Sequence, residues 1–198
     1  MSTESVLAVL WVVVSFNLLL TLRLASKMRK GVPPPASASP EVPSVPTGAA
    51  APPFEATTLD GRPFSLREYE NRAVTFVFFY HGCATCRSHF PTISRLFAIA
   101  QRANSELVLV TYDEQKDSRP ATEEMVKEFR IPAKVLFVPL GHELEKTYNP
   151  RKATPFFIHI ENGIVRRNGG LGGDEWDQLV AEWHAKAEAG RRLIRKFA

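Results

Sequence analysis

The chain has 198 residues, 44% of them hydrophobic and 23% charged, which suits one ordinary domain with appendages. That composition excludes full-length disorder and collagen, and two cysteines cannot build a disulfide scaffold or a four-thiolate zinc site. The net charge of +4 is carried by the ends, with four basic residues between positions 23 and 30 and four between 191 and 196; residues 31–190 hold 17 basic and 20 acidic residues, which excludes a basic nucleic-acid-binding face and makes a membrane surface the simpler partner.

Residues 6–22 are apolar except for Ser15, Asn17 and Thr21. At about 1.5 Å per residue this run reaches roughly 26 Å, the short end of a membrane crossing, and a snorkelling Arg23 lengthens it. A cleaved signal peptide would need a positive start, but the one charged side chain in residues 1–5 is Glu4. Arg23 also spoils the cleavage site that Ala25 would offer. The expectation is a retained single-pass anchor over residues 1–24, holding the protein at the cell membrane. Positive charges follow the span and none precedes it, which places the remainder of the chain in the cytoplasm. Residues 25–53 start basic and become rich in proline and alanine. Eight of the 23 residues in 31–53 are proline, the composition of a semi-rigid spacer.

From Phe54 the pattern is globular. Asp60-Gly61 predicts a hairpin turn between residues 54–59 and 62–66. Residues 73–80 (AVTFVFFY) predict a strand buried on both faces. Residues 84–102 predict a helix kinked at Pro91. A second buried strand is expected at 106–111, a helix at 120–129, a third strand at 134–138 and a short helix at 142–148. Asn162-Gly163 predicts a hairpin between strands 156–160 and 164–167. In a last helix over 174–188, Trp176, Leu179, Val180 and Trp183 form one apolar stripe. Strands alternating with helices, closed by an antiparallel hairpin, imply an α/β domain with a mixed central sheet over 54–188, followed by a basic tail, 189–198.

Both cysteines lie in one motif, Cys83-Ala84-Thr85-Cys86, after the buried strand and at a helix start. The partial positive charge of the helix N-terminus favours a thiolate, which is the attacking species. Cys83, at the outer end of the turn, is expected to attack a substrate disulfide, and Cys86 to resolve the mixed disulfide. Two sulfurs hold the electrons, so no cofactor is required. His81 is a candidate for favouring the Cys83 thiolate, with a solvated loop histidine as the competing reading. A Cys2His metal site with His81 or His89 falls short of the four protein ligands of structural sites, and no metal site is expected. Arg87 stands where a c-type haem motif needs histidine. An inert structural bridge would ordinarily join residues farther apart in sequence. Ala153-Thr154-Pro155 precedes the strand at 156, where proline is allowed at a strand's first residue.

Ala51-Pro52-Pro53-Phe54, the Asp60-Gly61 turn, a buried strand, CxxC, Pro91 and Thr154-Pro155 occur in order. Together they resemble the membrane-anchored thioredoxin-like proteins of the TlpA/ResA type and the related MauD-like accessory proteins. The resemblance implies a thioredoxin fold, Cys83 as nucleophile, Cys86 as resolving thiol, and a cis Pro155 facing them. It also implies that the Thr154 backbone pairs with an extended substrate segment. Protein disulfides would be the substrates and an upstream thiol the electron donor. It places the domain outside the cytoplasm, against the flanking charges. Departures touch proton handling: Gly82 replaces the usual tryptophan, Thr85 the usual proline, Val77 the buried acid of thioredoxins, and Ala84 a carboxylate common inside the motif.

Three other functions compete. A thiol peroxidase of the alkyl hydroperoxide reductase type would carry proline and a hydroxyl residue where Phe76 and Tyr80 stand. A copper chaperone would use Cys83, Cys86 and His81. A redox-inactive scaffold would use the fold alone.

Overall fold

The structure, a computed structural model, describes Trp11 and residues 14–18, 44–113 and 118–197. The chain divides into two units, Met1–Glu41 and Val42–Ala198. In the first, Trp11 and residues 14–18 are helical and exposed. Apart from these, the expected anchor over 1–24 lies outside the described residues, as does the spacer up to residue 43. Among the described residues no helix is long and apolar enough to cross a membrane.

The second unit is built on a five-stranded mixed sheet. Its strands are β3 (Ala73–Phe78), β4 (Ser105–Asp113), β5 (Val135–Pro139), β6 (Phe156–Glu161) and β7 (Ile164–Gly170), in the order β5-β4-β3-β6-β7. β3, β4 and β5 are parallel, whereas β6 and β7 run antiparallel to their neighbours. A separate hairpin joins β1 (Glu55–Thr57) to β2 (Pro63–Ser65), and its Gly61 adopts the positive φ of 83° that the tight turn requires.

β3 is buried along its whole length, and its side chains alternate between two cores. Val77 packs beneath α1 (Ala84–Arg102), together with Phe90, Ile93 and Phe157. Val74, Phe76 and Phe78 face the other way, onto Phe54 and Phe64 of the hairpin region and Tyr148 of α3 (Glu143–Tyr148). The unbroken apolar run is therefore a two-sided strand. α2 (Ser118–Glu128) adds Met125 to the first core. α4 (Asp174–Phe197) adds Trp176, Leu179 and Trp183, all at most 5% exposed, with Val180 packed beside them.

α1 runs from Ala84 to Arg102 with Pro91 inside it, over the expected range. Two elements run differently from their sequence pattern. α4 carries on past residue 188 through the basic tail, because nothing at Gly190 forces a stop. The end of the proline-rich stretch belongs to the folded unit. Gly48 donates to the Val165 carbonyl (2.7 Å), Val165 to that of Ala49 (3.0 Å) and Ala51 to that of Gly163 (2.8 Å). Val45 is buried, and the Tyr148 hydroxyl donates to the Pro52 carbonyl. These main-chain bonds cover the outer edge of β7, and small residues suit a segment held by its backbone.

Candidate active site

β3 delivers the motif. Beyond Phe78 the chain leaves the sheet with a last bond from the Phe79 amide to the Val110 carbonyl, and the Cys83 amide then donates to the Tyr80 carbonyl at 3.0 Å. This turn brings the Tyr80 ring over residue 82. A Cβ at Gly82 would stand 2.7 Å from Cε1 of Tyr80, so any side chain there would displace the ring. Cys83 is the N-cap of α1, with extended backbone angles (φ −83°, ψ 110°). Its Sγ takes the place of a capping oxygen and accepts from the Cys86 amide at 3.1 Å.

The two thiols are free, and their environments differ. Cys83 is half-buried, whereas Cys86 is 1% exposed and packs with Phe79 and Phe90. Burial opposes ionisation of Cys83. It is outweighed by hydrogen bonds from the Cys86 side chain and amide, the Thr154 side chain and the Thr85 backbone, so the Cys83 thiol sits below its ordinary pKa. Burial, reinforced by the bond to Cys83, pushes the Cys86 thiol up to about 12. The two sulfurs are thus shifted in opposite directions, Cys83 towards the thiolate and Cys86 towards the protonated thiol.

Thr154 and Pro155 reach the same place through the sheet. β6 pairs with β3, Phe78 lying opposite Phe156, so the residues before β6 meet those after β3. The Thr154–Pro155 bond is cis, and the Cys83 Sγ lies 3.9 Å from the Thr154 carbonyl oxygen. His81 packs its ring 4.3 Å from that of Tyr80, and its buried Nδ1 has no hydrogen-bond partner. The hydrogen bonds that lower the Cys83 pKa against its burial come from Cys86, Thr154 and Thr85. Among the described residues no group of three or more histidines, cysteines or acids gathers to hold a metal ion. Phe76, at one position where a peroxidase would need proline, is buried in the core on the sheet face opposite Cys86.

Asn149 is a residue that the sequence did not single out. It is 2% exposed, and its side chain bonds both main-chain groups of Ala153, the residue before Thr154. A lone asparagine after a short helix carries no pattern that would have marked it.

A CxxC helix start facing a cis-proline loop across a mixed sheet defines a thioredoxin-like domain. The chain belongs to the AhpC/TSA family, which matches residues 47–166. Similar solved structures include a putative protein disulfide isomerase from Bacteroides thetaiotaomicron, 20% identical with a TM-score of 0.61, covering 75% of this chain and 94% of that one. A putative thiol:disulfide interchange protein DsbE from Chlorobium tepidum is 22% identical, with a TM-score of 0.58 over 73% and 99% of the two chains. The thioredoxin domain of a thiol-disulfide oxidoreductase from Bacteroides vulgatus is 18% identical, with a TM-score of 0.57 over 71% and 99%. At these identities the likeness is one of fold. Among curated proteins, none matches the chain.

Proposed function

We propose that this protein is a membrane-tethered thiol–disulfide oxidoreductase of the TlpA/ResA type that reduces disulfides in client proteins. The observation that carries this reading is the asymmetric sulfur pair at the start of α1. Cys83 accepts the Cys86 amide bond and sits below its ordinary pKa, while Cys86 is buried beside it and held protonated.

The chemistry follows from that asymmetry. The Cys83 thiolate attacks one sulfur of a client disulfide; a new S–S bond forms, the client bond breaks, and the second client sulfur leaves as a thiolate that takes a proton. Cys86 then gives up its proton and attacks Cys83 Sγ. The client leaves with both sulfurs reduced, and the Cys83–Cys86 disulfide forms. An upstream dithiol donor restores the pair by the same exchange. The Thr154 carbonyl and hydroxyl flank the sulfur under attack, where an extended client segment would lie along the loop before β6.

The test uses the full chain and insulin. Wild type should reduce insulin catalytically. Cys86→Ser should accumulate a mixed disulfide with a disulfide-bonded peptide, and Cys83→Ser should form none. Trapping through Cys86 instead, or retained turnover in the double serine variant, would overturn the reading. Peroxide consumption that survives Cys86→Ser would move the assignment to a thiol peroxidase.

The tether is part of the proposal and rests on the apolar run 6–22 with the basic residues after it. The full chain should stay with membranes through alkaline carbonate extraction, and a chain starting at Val42 should not. A membrane-impermeant maleimide applied to intact cells reads the side: labelling of Cys83 places the domain outside, and protection places it in the cytoplasm.

A further inference from the structure

The loop between α3 and β6 carries Thr154 to the sulfur pair, and five residues of chain must fold back on themselves to do so. Lys152 takes a left-handed conformation (φ 50°) and its amide donates to the Asn149 carbonyl at 2.9 Å. That turn leaves the amide and carbonyl of Ala153, itself an exposed residue, facing the buried Asn149 side chain. The Asn149 side chain meets both. Its Oδ1 accepts from the Ala153 amide (2.9 Å) and its Nδ2 donates to the Ala153 carbonyl (2.9 Å). The same Nδ2 also donates to the Tyr112 hydroxyl at 3.2 Å, which ties the clamp to β4.

Asn149 is itself fixed. It is the C-cap of α3, its amide bonded to the Glu145 carbonyl at 3.0 Å, and it is 2% exposed. A planar side chain with an acceptor and a donor is the chemistry that can satisfy a neighbouring peptide's amide and carbonyl together. On the far side of Ala153 stands Thr154, its carbonyl oxygen 3.9 Å from Cys83 Sγ. We propose that Asn149 is a positioning residue that sets Thr154 against the cysteines by clamping the main chain of Ala153. The assignment rests on the oxidoreductase reading for its functional meaning. The Thr154 side chain favours ionisation of both Cys83 and Cys86, so a loop set loose at Ala153 should withdraw that help. The other groups acting on Cys83 are Cys86 and the Thr85 backbone, both on α1, and neither touches the clamp.

The pH profile of Cys83 alkylation separates positioning from general loosening. Asn149→Ala should raise the midpoint by about half a pH unit or more. Asn149→Ser, too short to span both groups of Ala153, should shift it in the same direction and serves if the alanine variant does not fold. Tyr112→Phe removes the third partner of the same amide but leaves both bonds to Ala153. It should lower thermal stability and leave the midpoint within about 0.2 units of wild type. An unchanged midpoint in the folded Asn149 variants, or an equal shift in Tyr112→Phe, would overturn the proposal. Insulin turnover by wild type is read separately: its absence would sink the oxidoreductase reading, and the midpoints alone would then decide the role of Asn149.

Discussion

Two regions of β6 treat a buried titratable group in opposite ways. Just before its first residue, Thr154 meets Cys83, whose thiol sits below its ordinary pKa although it is partly buried. In its middle, His159 is 4% exposed and burial holds its pKa down at about 4, which keeps the imidazole neutral. Cys83 stands at a helix N-terminus with donors aimed at its sulfur. His159 has the Thr75 hydroxyl at 2.8 Å from Nδ1 and the Trp183 ring 6.4 Å away. Burial alone favours the neutral form of any group; a charge survives only where hydrogen-bond donors and a helix dipole replace water. The loop entering this strand therefore meets the thiol pair, and the strand itself runs on into the core.

The largest effect expected from disturbing this contrast is at Cys83. Replacing it with serine removes the thiolate, and insulin reduction should fall by about two orders of magnitude or more, to the uncatalysed level. Activity within tenfold of wild type would show that the sulfur is not the nucleophile.

His159 comes next, through stability. Its folded pKa lies below the unfolded value near 6.5, so the unfolded chain binds a proton that the folded one refuses. Stability should be full above pH 6.5 and should fall as pH drops from there towards 4, by about 3 kcal/mol at most. His159→Gln should flatten that part of a urea-denaturation profile, whatever it costs at neutral pH. A slope equally steep in the variant would assign the acid sensitivity to other groups.

A smaller shift is expected at the junction of the two regions. Thr154→Val removes the hydroxyl that favours the thiolate, and the Cys83 alkylation midpoint should rise by roughly half a pH unit. Cys86 should stay unlabelled near pH 8 in wild type and variant alike, because burial and the bond to Cys83 keep it protonated. The smallest change belongs to the exposed pair of Arg87 and Glu128, 2.7 Å apart beside the motif. Arg87→Ala should cost less than about 1 kcal/mol of stability, and a larger loss in thermal unfolding would mean that the pair does more than face solvent.

Much of this was legible in the chain. The alternation of apolar runs placed β3, β4 and β5, and the Asp60-Gly61 and Asn162-Gly163 pairs marked turns that are there, because local turn chemistry needs no tertiary context. The helix start at Cys83 followed from the motif's place after a buried strand. Length was harder to read. α4 outran its apolar stripe, since a helix keeps its backbone bonds whether or not its apolar pattern continues. The segment 44–53 read as spacer, because bonds made by the backbone leave no trace in side-chain composition.

The sequence by itself determined the two-sided strand, the sulfur pair at a helix N-terminus and the proline before β6, since each is a matter of residue type and near spacing. The tertiary structure decided what those sulfurs meet. Thr154 lies 71 positions from Cys83 and comes to its Sγ through the pairing of β3 with β6. Asn149, silent as a letter, becomes a clamp on Ala153 once the turn at Lys152 brings that residue's amide and carbonyl to its side chain. The inequality of the two thiols is decided the same way: burial and donors are properties of surroundings, and surroundings are assembled from residues far apart in the chain.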